Sequence, residues 1–230
     1  MTLDAAAWAA LRLSLWVALW ATLIAVPLAL WIAWLLARKE FWGKTLLNAL
    51  VHLPLVLPPV VTGYVLLTLF SPAAPLGAGL QAIGLTLAFK WTGAVLAAIV
   101  MGFPLMVRAM RLAVEAVDPK LEDAAATLGA SRAGVFIRVT LPLITPGILA
   151  GAVLGFAKAM GEFGATITFV ANIPGETQTL PIAIWTALQI PGGEGSAAAM
   201  ALLSCTVALG AVLLSEMLAR RVAARIGDRS

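Results

Sequence analysis

The 230-residue chain is 62% hydrophobic and 11% charged, with a mean hydropathy of +1.01. A soluble domain is about half apolar and about a quarter charged, so a water-soluble fold is excluded and one integral membrane domain, residues 1–230, is expected. The lone cysteine, Cys205, and the lone histidine, His52, exclude a disulfide framework and a Cys/His metal cluster, and the net charge of +4 matters less than where the charges sit.

The first uncharged stretch runs from Leu13 to Leu36. At ~1.5 Å per residue it exceeds a hydrocarbon core of about 30 Å, which predicts a tilted span over 13–37. It is too long for a typical signal-peptide core, has no basic segment before it and meets a basic stop, so it is expected to be retained. Trp8, Trp16, Trp31, Trp34 and Trp42 fall partly near its ends, as interfacial anchors do. A second span is expected over 46–70. It carries Pro54, Pro58, Pro59 and Gly63, which predict a bent helix, either lining a pathway or merely kinked for packing. Ser71 to Gly84, rich in Pro and Gly, is expected to be an external loop or to re-enter the membrane.

Further spans are expected over 91–107, 139–157 and 197–217, while Pro181 to Pro191 has too many breakers for a span and suits a short re-entrant helix on the outer side. With the N-terminus outside and five spans, 12 of the 15 basic residues face the cytoplasm. They are Arg38, Lys39, Lys44, Arg108, Arg111, Lys120, Arg132, Arg138, Arg220, Arg221, Arg225 and Arg229. The inverted topology would break the positive-inside rule, so the C-terminus is expected inside.

Between the third and fourth spans lies a charge-rich segment, residues 117–142. Asp118 can N-cap a helix, Pro119 suits its first position, and Gly129 can close it in a left-handed C-cap. Leu121, Ala124, Ala125 and Leu128 form one small apolar stripe at helical spacing. Ser131 can cap a second helix through Val135, Phe136 and Ile137 to Leu141 and Pro142. Two capped helices that present a knob rather than a pocket form a docking element.

After the fourth span come Lys158, Gly161, Glu162, Phe163, Gly164, Thr166 and Thr168, then Asn172 to Glu176. A charge near membrane depth is costly and faces a partner or a cavity. Lys158 and Glu162 are four apart and can pair on a helix. Alternatively, Gly161 and Gly164 allow close helix approach while Glu162, Thr166 and Thr168 line a gate.

These motifs carry a resemblance. Asp123-Ala124-Ala125, Gly129, and Val139-Thr140-Leu141-Pro142 after a nine-residue gap resemble the EAA loop of ABC importer permeases, E-A-A-x-x-x-G, nine residues, I-x-L-P. Asp123 replaces the usual Glu and Val139 the usual Ile, which keeps a carboxylate and a β-branched residue, and Glu122 stands one position too early for the motif. Gly161-Glu162-Phe163-Gly164-Ala165 and the run from Asn172 to Thr177 resemble the permeases of oxyanion importers for molybdate, tungstate and sulfate. The stretches Leu53-Pro54 to Pro58-Pro59 and Gly102 to Arg108 resemble the molybdate branch.

The resemblance implies an all-α type I permease fold of five or six membrane helices in a bacterial inner membrane. It implies that Asp123, Ala124, Ala125, Leu128, Gly129, Leu141 and Pro142 belong to a coupling element that inserts into a cleft of a cytoplasmic ATPase. Pro54, Pro58, Pro59, Lys158, Gly161, Glu162, Phe163, Gly164, Thr166 and Thr168 are its candidate pathway or gate residues. The implied partners are a second copy of the chain, two ATPase subunits, a soluble substrate-binding protein and the bilayer, with no nucleic acid. ATP and Mg are expected on the ATPase and no cofactor on this chain, which has no G-x-x-x-x-G-K-[ST] loop and no serine–histidine–acid set. Other readings are a permease for tungstate, sulfate or thiosulfate, a secondary transporter, and a membrane enzyme such as a lipid phosphatase. The last lacks clustered catalytic polar residues.

Overall fold

A computed structural model describes residues 5–227, apart from the side chains of 214–216 and 218–227. The described residues are helical, without a strand. The first helix, α1 (Ala5–Arg38), is about 50 Å long at ~1.5 Å per residue, so it outreaches the bilayer core unless tilted. Of its eleven buried positions eight are small, Ala7, Ala10, Ser14, Ala18, Ala21, Ala25, Ala29 and Ala33, a seam along its length, and the others are Leu11, Val17 and Leu36. Apolar residues gain little by leaving lipid for one another, so membrane helices associate through close packing, which such a seam permits. Trp8, Trp16, Trp20, Leu23, Leu28 and Trp31 lie on the exposed side.

The expected second span is two helices, α2 (Lys44–Val56) and α3 (Pro59–Phe70), with axes bent by 115°. The single span 46–70 is therefore a broken one, and the cause is local. Pro58 and Pro59 remove two consecutive backbone donors, and each ring pushes the preceding residue out of the helical region. Leu57 and Pro58 accordingly adopt ψ of 142° and 135°. Pro54 sits inside α2 without breaking it. The expected loop 71–84 contains a short helix, α4 (Pro75–Ala82).

The third span is α5 (Trp91–Glu115), which continues well past 107. Next come α6 (Pro119–Thr127), α7 (Arg132–Val135), a π-helical turn (Phe136–Thr140) and α8 (Leu141–Met160). Arg132–Met160 runs on as one candidate span. Breakers then divide the chain into α9 (Gly164–Val170) and α10 (Leu180–Leu188), each too short to cross a bilayer, before α11 (Glu194–Gly227). Among the described residues, four helices are long and apolar enough to span, or five elements with the bent pair. The side chains of Arg220, Arg221 and Arg225, and the whole of Arg229, lie outside the described residues.

The bundle is built on α1, α5 and α8. Trp16 meets Trp91 with ring centroids 6.5 Å apart, and Arg38 reaches Val117, so α1 and α5 run parallel. Against them α8 is antiparallel. Gly147 faces Ala113, Gly151 faces Met110, and Gly155 faces Met106 and Gly102. A Cβ on Gly155 would lie 2.6 Å from the Met106 side chain, which would have to move to admit it. The short helix α9 wedges between α3 and α5, where Gly63 lies against Ala165 and Gly93 against Val170.

The connection 171–179 is irregular, exposed over 173–176 and buried over 177–179, and its buried end is held by internal hydrogen bonds. Gln178 Nε2 donates to Asn172 Oδ1 at 2.8 Å, Asn172 Nδ2 to Thr186 Oγ1 at 2.9 Å, and the Ile173 amide to Thr177 Oγ1 at 3.0 Å. The Leu180 amide donates to Ser14 Oγ at 2.7 Å, tying this region to α1.

Candidate coupling element and pathway

The segment 117–142 begins as its residues dictate. Asp118 Oδ1 accepts the Lys120 amide at 2.9 Å, Pro119 opens α6, and Gly129 ends it at φ +87°. The Gly129 amide bonds the Ala126 carbonyl at 3.0 Å and the Ala130 amide bonds Ala125 at 3.1 Å, which is the paired closure of a Schellman cap. Ser131 Oγ accepts the Gly134 amide at 3.2 Å as N-cap of α7. The second helix is not uniform as expected. One turn of α-helix passes into the π-helical turn, whose last residue, Thr140, is fully buried.

No residue of α6 is buried. Its Leu121 is 50% exposed, and Leu128, at its C-cap, is 90% exposed, beside exposed Asp123, Ala124 and Gly129. Large apolar side chains standing in water beside a carboxylate make a surface fit for a complementary cleft. The candidate coupling residues thus divide. Asp123, Ala124, Leu128 and Gly129 stand outward and Ala125 is half-buried. Leu141 and Pro142, also half-buried, belong to the foot of α8, where Leu141 packs on the cluster of Val114, Val117 and Ile144.

Glu122, set aside on motif register, is the residue the sequence reading missed. Its Oε1 accepts the Thr140 hydroxyl at 2.6 Å and its Oε2 lies 3.4 Å from Arg38 Nη2, which also donates to the Val117 carbonyl at 3.0 Å. A carboxylate next to the motif position, turned about 100° from it around a short helix, was the available signal.

At the other end of α8 the ion pair is made. Lys158 Nζ lies 2.9 Å from Glu162 Oε2, and Glu162 Oε1 accepts the Ala165 amide at 3.0 Å. Gly155 packs on Gly102, and the pair lies ~5–10 Å further along α8, level with the uncharged part of α5. Within the subunit Glu162 is 3% exposed and Thr166 2% exposed, so neither lines an open surface of the single chain. The Thr168 hydroxyl bonds the Gly164 carbonyl at 2.9 Å. Close approach is real at Gly164, where a Cβ would sit 2.7 Å from Pro59 Cβ, but not at exposed Gly161, whose nearest neighbour would be 3.7 Å away. Phe163 stacks near Trp185 with centroids 6.0 Å apart. Pro58 and Pro59 are exposed, while half-buried Pro54 lines an apolar cleft of about 380 Å³ with Leu28, Leu50, Val51, Ile99, Val100 and Phe103.

Residues 25–224 match the family described as binding-protein-dependent transport system inner membrane component. The chain is 55% identical over 221 residues to the molybdenum transport system permease protein ModB of Escherichia coli (strain K12), covering 96% of each. It is 53% identical over 220 residues to its namesake in Haemophilus influenzae, covering 95% of this chain and 96% of the relative. Its fold is similar to that of a bacterial ABC transporter involved in alginate import, with TM-score 0.74 and 21% identity over 95% of this chain and 80% of that one. The chain belongs to the family of binding-protein-dependent transport system inner membrane components.

Proposed function

We propose that this chain is the permease subunit of an ATP-binding cassette importer for molybdate, and that two copies enclose the pathway. The observation that carries the reading is identity above one half, over nearly the whole chain, to molybdenum transport permeases. The exposed α6 knob supports it, since such a surface suits a cleft in an ATPase. The N-terminus then lies outside and α6 in the cytoplasm, where the basic residues concentrate.

ATP, held with Mg by two partner ATPases, closes them and draws the two α6 knobs together. The bundle tilts from inward-open to outward-open, the anion enters from a soluble binding protein, and hydrolysis resets the pore. Lys158 is held by Glu162, so the pair presents no free cation to a dianion. Selectivity therefore rests with the binding protein.

In proteoliposomes containing the chain, its ATPase and its binding protein, molybdate uptake is expected only with ATP and all three components. Uptake by the chain alone under an ion gradient would establish a secondary transporter instead, and uptake of sulfate without molybdate would reassign the anion. In a Cys205→Ser background, Ser131→Cys is expected to resist membrane-impermeant thiol reagents in intact cells and to react in inverted vesicles. Cys205 is exposed and must be removed first.

A further inference from the structure

α6 has to hand its motion to the membrane helices, yet none of its apolar side chains is buried. Its polar attachment is Glu122. The two carboxylate oxygens go to different helices: Oε1 to Thr140, at the entrance to α8, and Oε2 to Arg38, the last residue of α1. Thr140 is 1% exposed, and the side chains of Arg38 and Glu122 are largely covered. A charge-assisted contact in so covered a position is stronger and less screened than a surface ion pair.

The guanidinium is incompletely used. Its Nη2 is shared between Glu122 and the Val117 carbonyl, while its Nε is buried without a partner. A fork of five donors can pair two oxygens at once, so these contacts leave part of the donor capacity of Arg38 unused. The π-helical turn serves the same junction. It ends on Thr140, the residue that meets Glu122, and π turns are frequent at functional positions.

We infer that Glu122 is a positioning residue for coupling: with Arg38 and Thr140 it forms a polar strut that transfers displacement of α6 to α1 and α8 together. Asp123, on the outward face, meets the partner; Glu122, on the inward face, carries the load. This rests on the transport reading above.

The test uses the reconstituted importer, with ATP hydrolysed per molybdate imported as readout. Glu122→Gln weakens both arms and is expected to raise that ratio about tenfold, within the range of coupling free energies. Thr140→Val, which keeps shape and removes one hydroxyl contact, is expected to raise it several-fold, and it carries the test if Glu122→Gln assembles poorly. Because the two residues share one contact, the double variant is expected to match Glu122→Gln rather than the product of the two effects. An unchanged ratio in Thr140→Val, or independent effects in the double variant, overturns the strut. A wild-type importer that moves no molybdate overturns the transport reading and the strut with it.

Discussion

Gly129→Val is expected to abolish most transport while Gly129→Asn retains most of it. Gly129 closes α6 at φ +87°, and a Cβ there would meet nothing within 4 Å. Steric crowding by neighbours is therefore not the issue. A left-handed backbone costs an ordinary L-residue ~1–2 kcal/mol, more for a β-branched one, whereas Asn tolerates it. Loss of the cap would also release the bonds from the Gly129 and Ala130 amides, and Leu128 would leave its position at the tip. A penalty of about 2 kcal/mol exceeds tenfold in the population of the closed cap. Molybdate uptake alongside ATPase activity in proteoliposomes reads the effect. Equal uptake by the Val and Asn variants would show that the cap plays no part in coupling.

The second large effect is expected at Glu162. Replacing it with Ala leaves the Lys158 ammonium and the Ala165 amide without their partner. Removing one member of a buried pair costs ~3–5 kcal/mol, and half-buried Lys158 sets the value near the lower end, about 3 kcal/mol. The midpoint of unfolding by denaturing detergent, followed by circular dichroism, is expected to fall accordingly. Adding Lys158→Met to Glu162→Ala removes the stranded charge and is expected to recover much of the loss. A double variant no more stable than Glu162→Ala would mean that the pair contributes through Glu162 and the Ala165 amide alone.

The two sites show what kinds of information a chain carries. At α6 every boundary was legible: Asp118, Pro119, Gly129 and Ser131 sit where the structure puts the caps and the first turn. Cap chemistry acts between residues two to five apart, so the local string contains it in full. The ion pair of Lys158 and Glu162 was legible for the same reason, being one helical turn apart. Uncharged length likewise pointed to the long apolar helices α1, α5, α8 and α11, because an uninterrupted apolar run of that length suits a single helix.

Direction and partnership were not legible. The prolines of 54–59 announced a distortion, but the direction the chain takes beyond the break depends on what receives it, and here α9 packs against α3. Thr166 looks like any small polar residue near a gate until α9 is wedged among its neighbours, which buries it. The alanine seam of α1 is likewise invisible as an interface until α5 and α8 close on it.

Glu122 marks the boundary most sharply. By sequence it is an ordinary carboxylate beside a motif, and its neighbours in the chain determined that it lies on a capped helix. Its contacts are decided by Arg38 and Thr140, contributed by segments about a hundred residues apart in the chain. Local hydrogen-bond geometry is written in adjacent residues. Which side of a short helix faces protein is set only when distant helices pack, and that energy is a property of the assembled bundle.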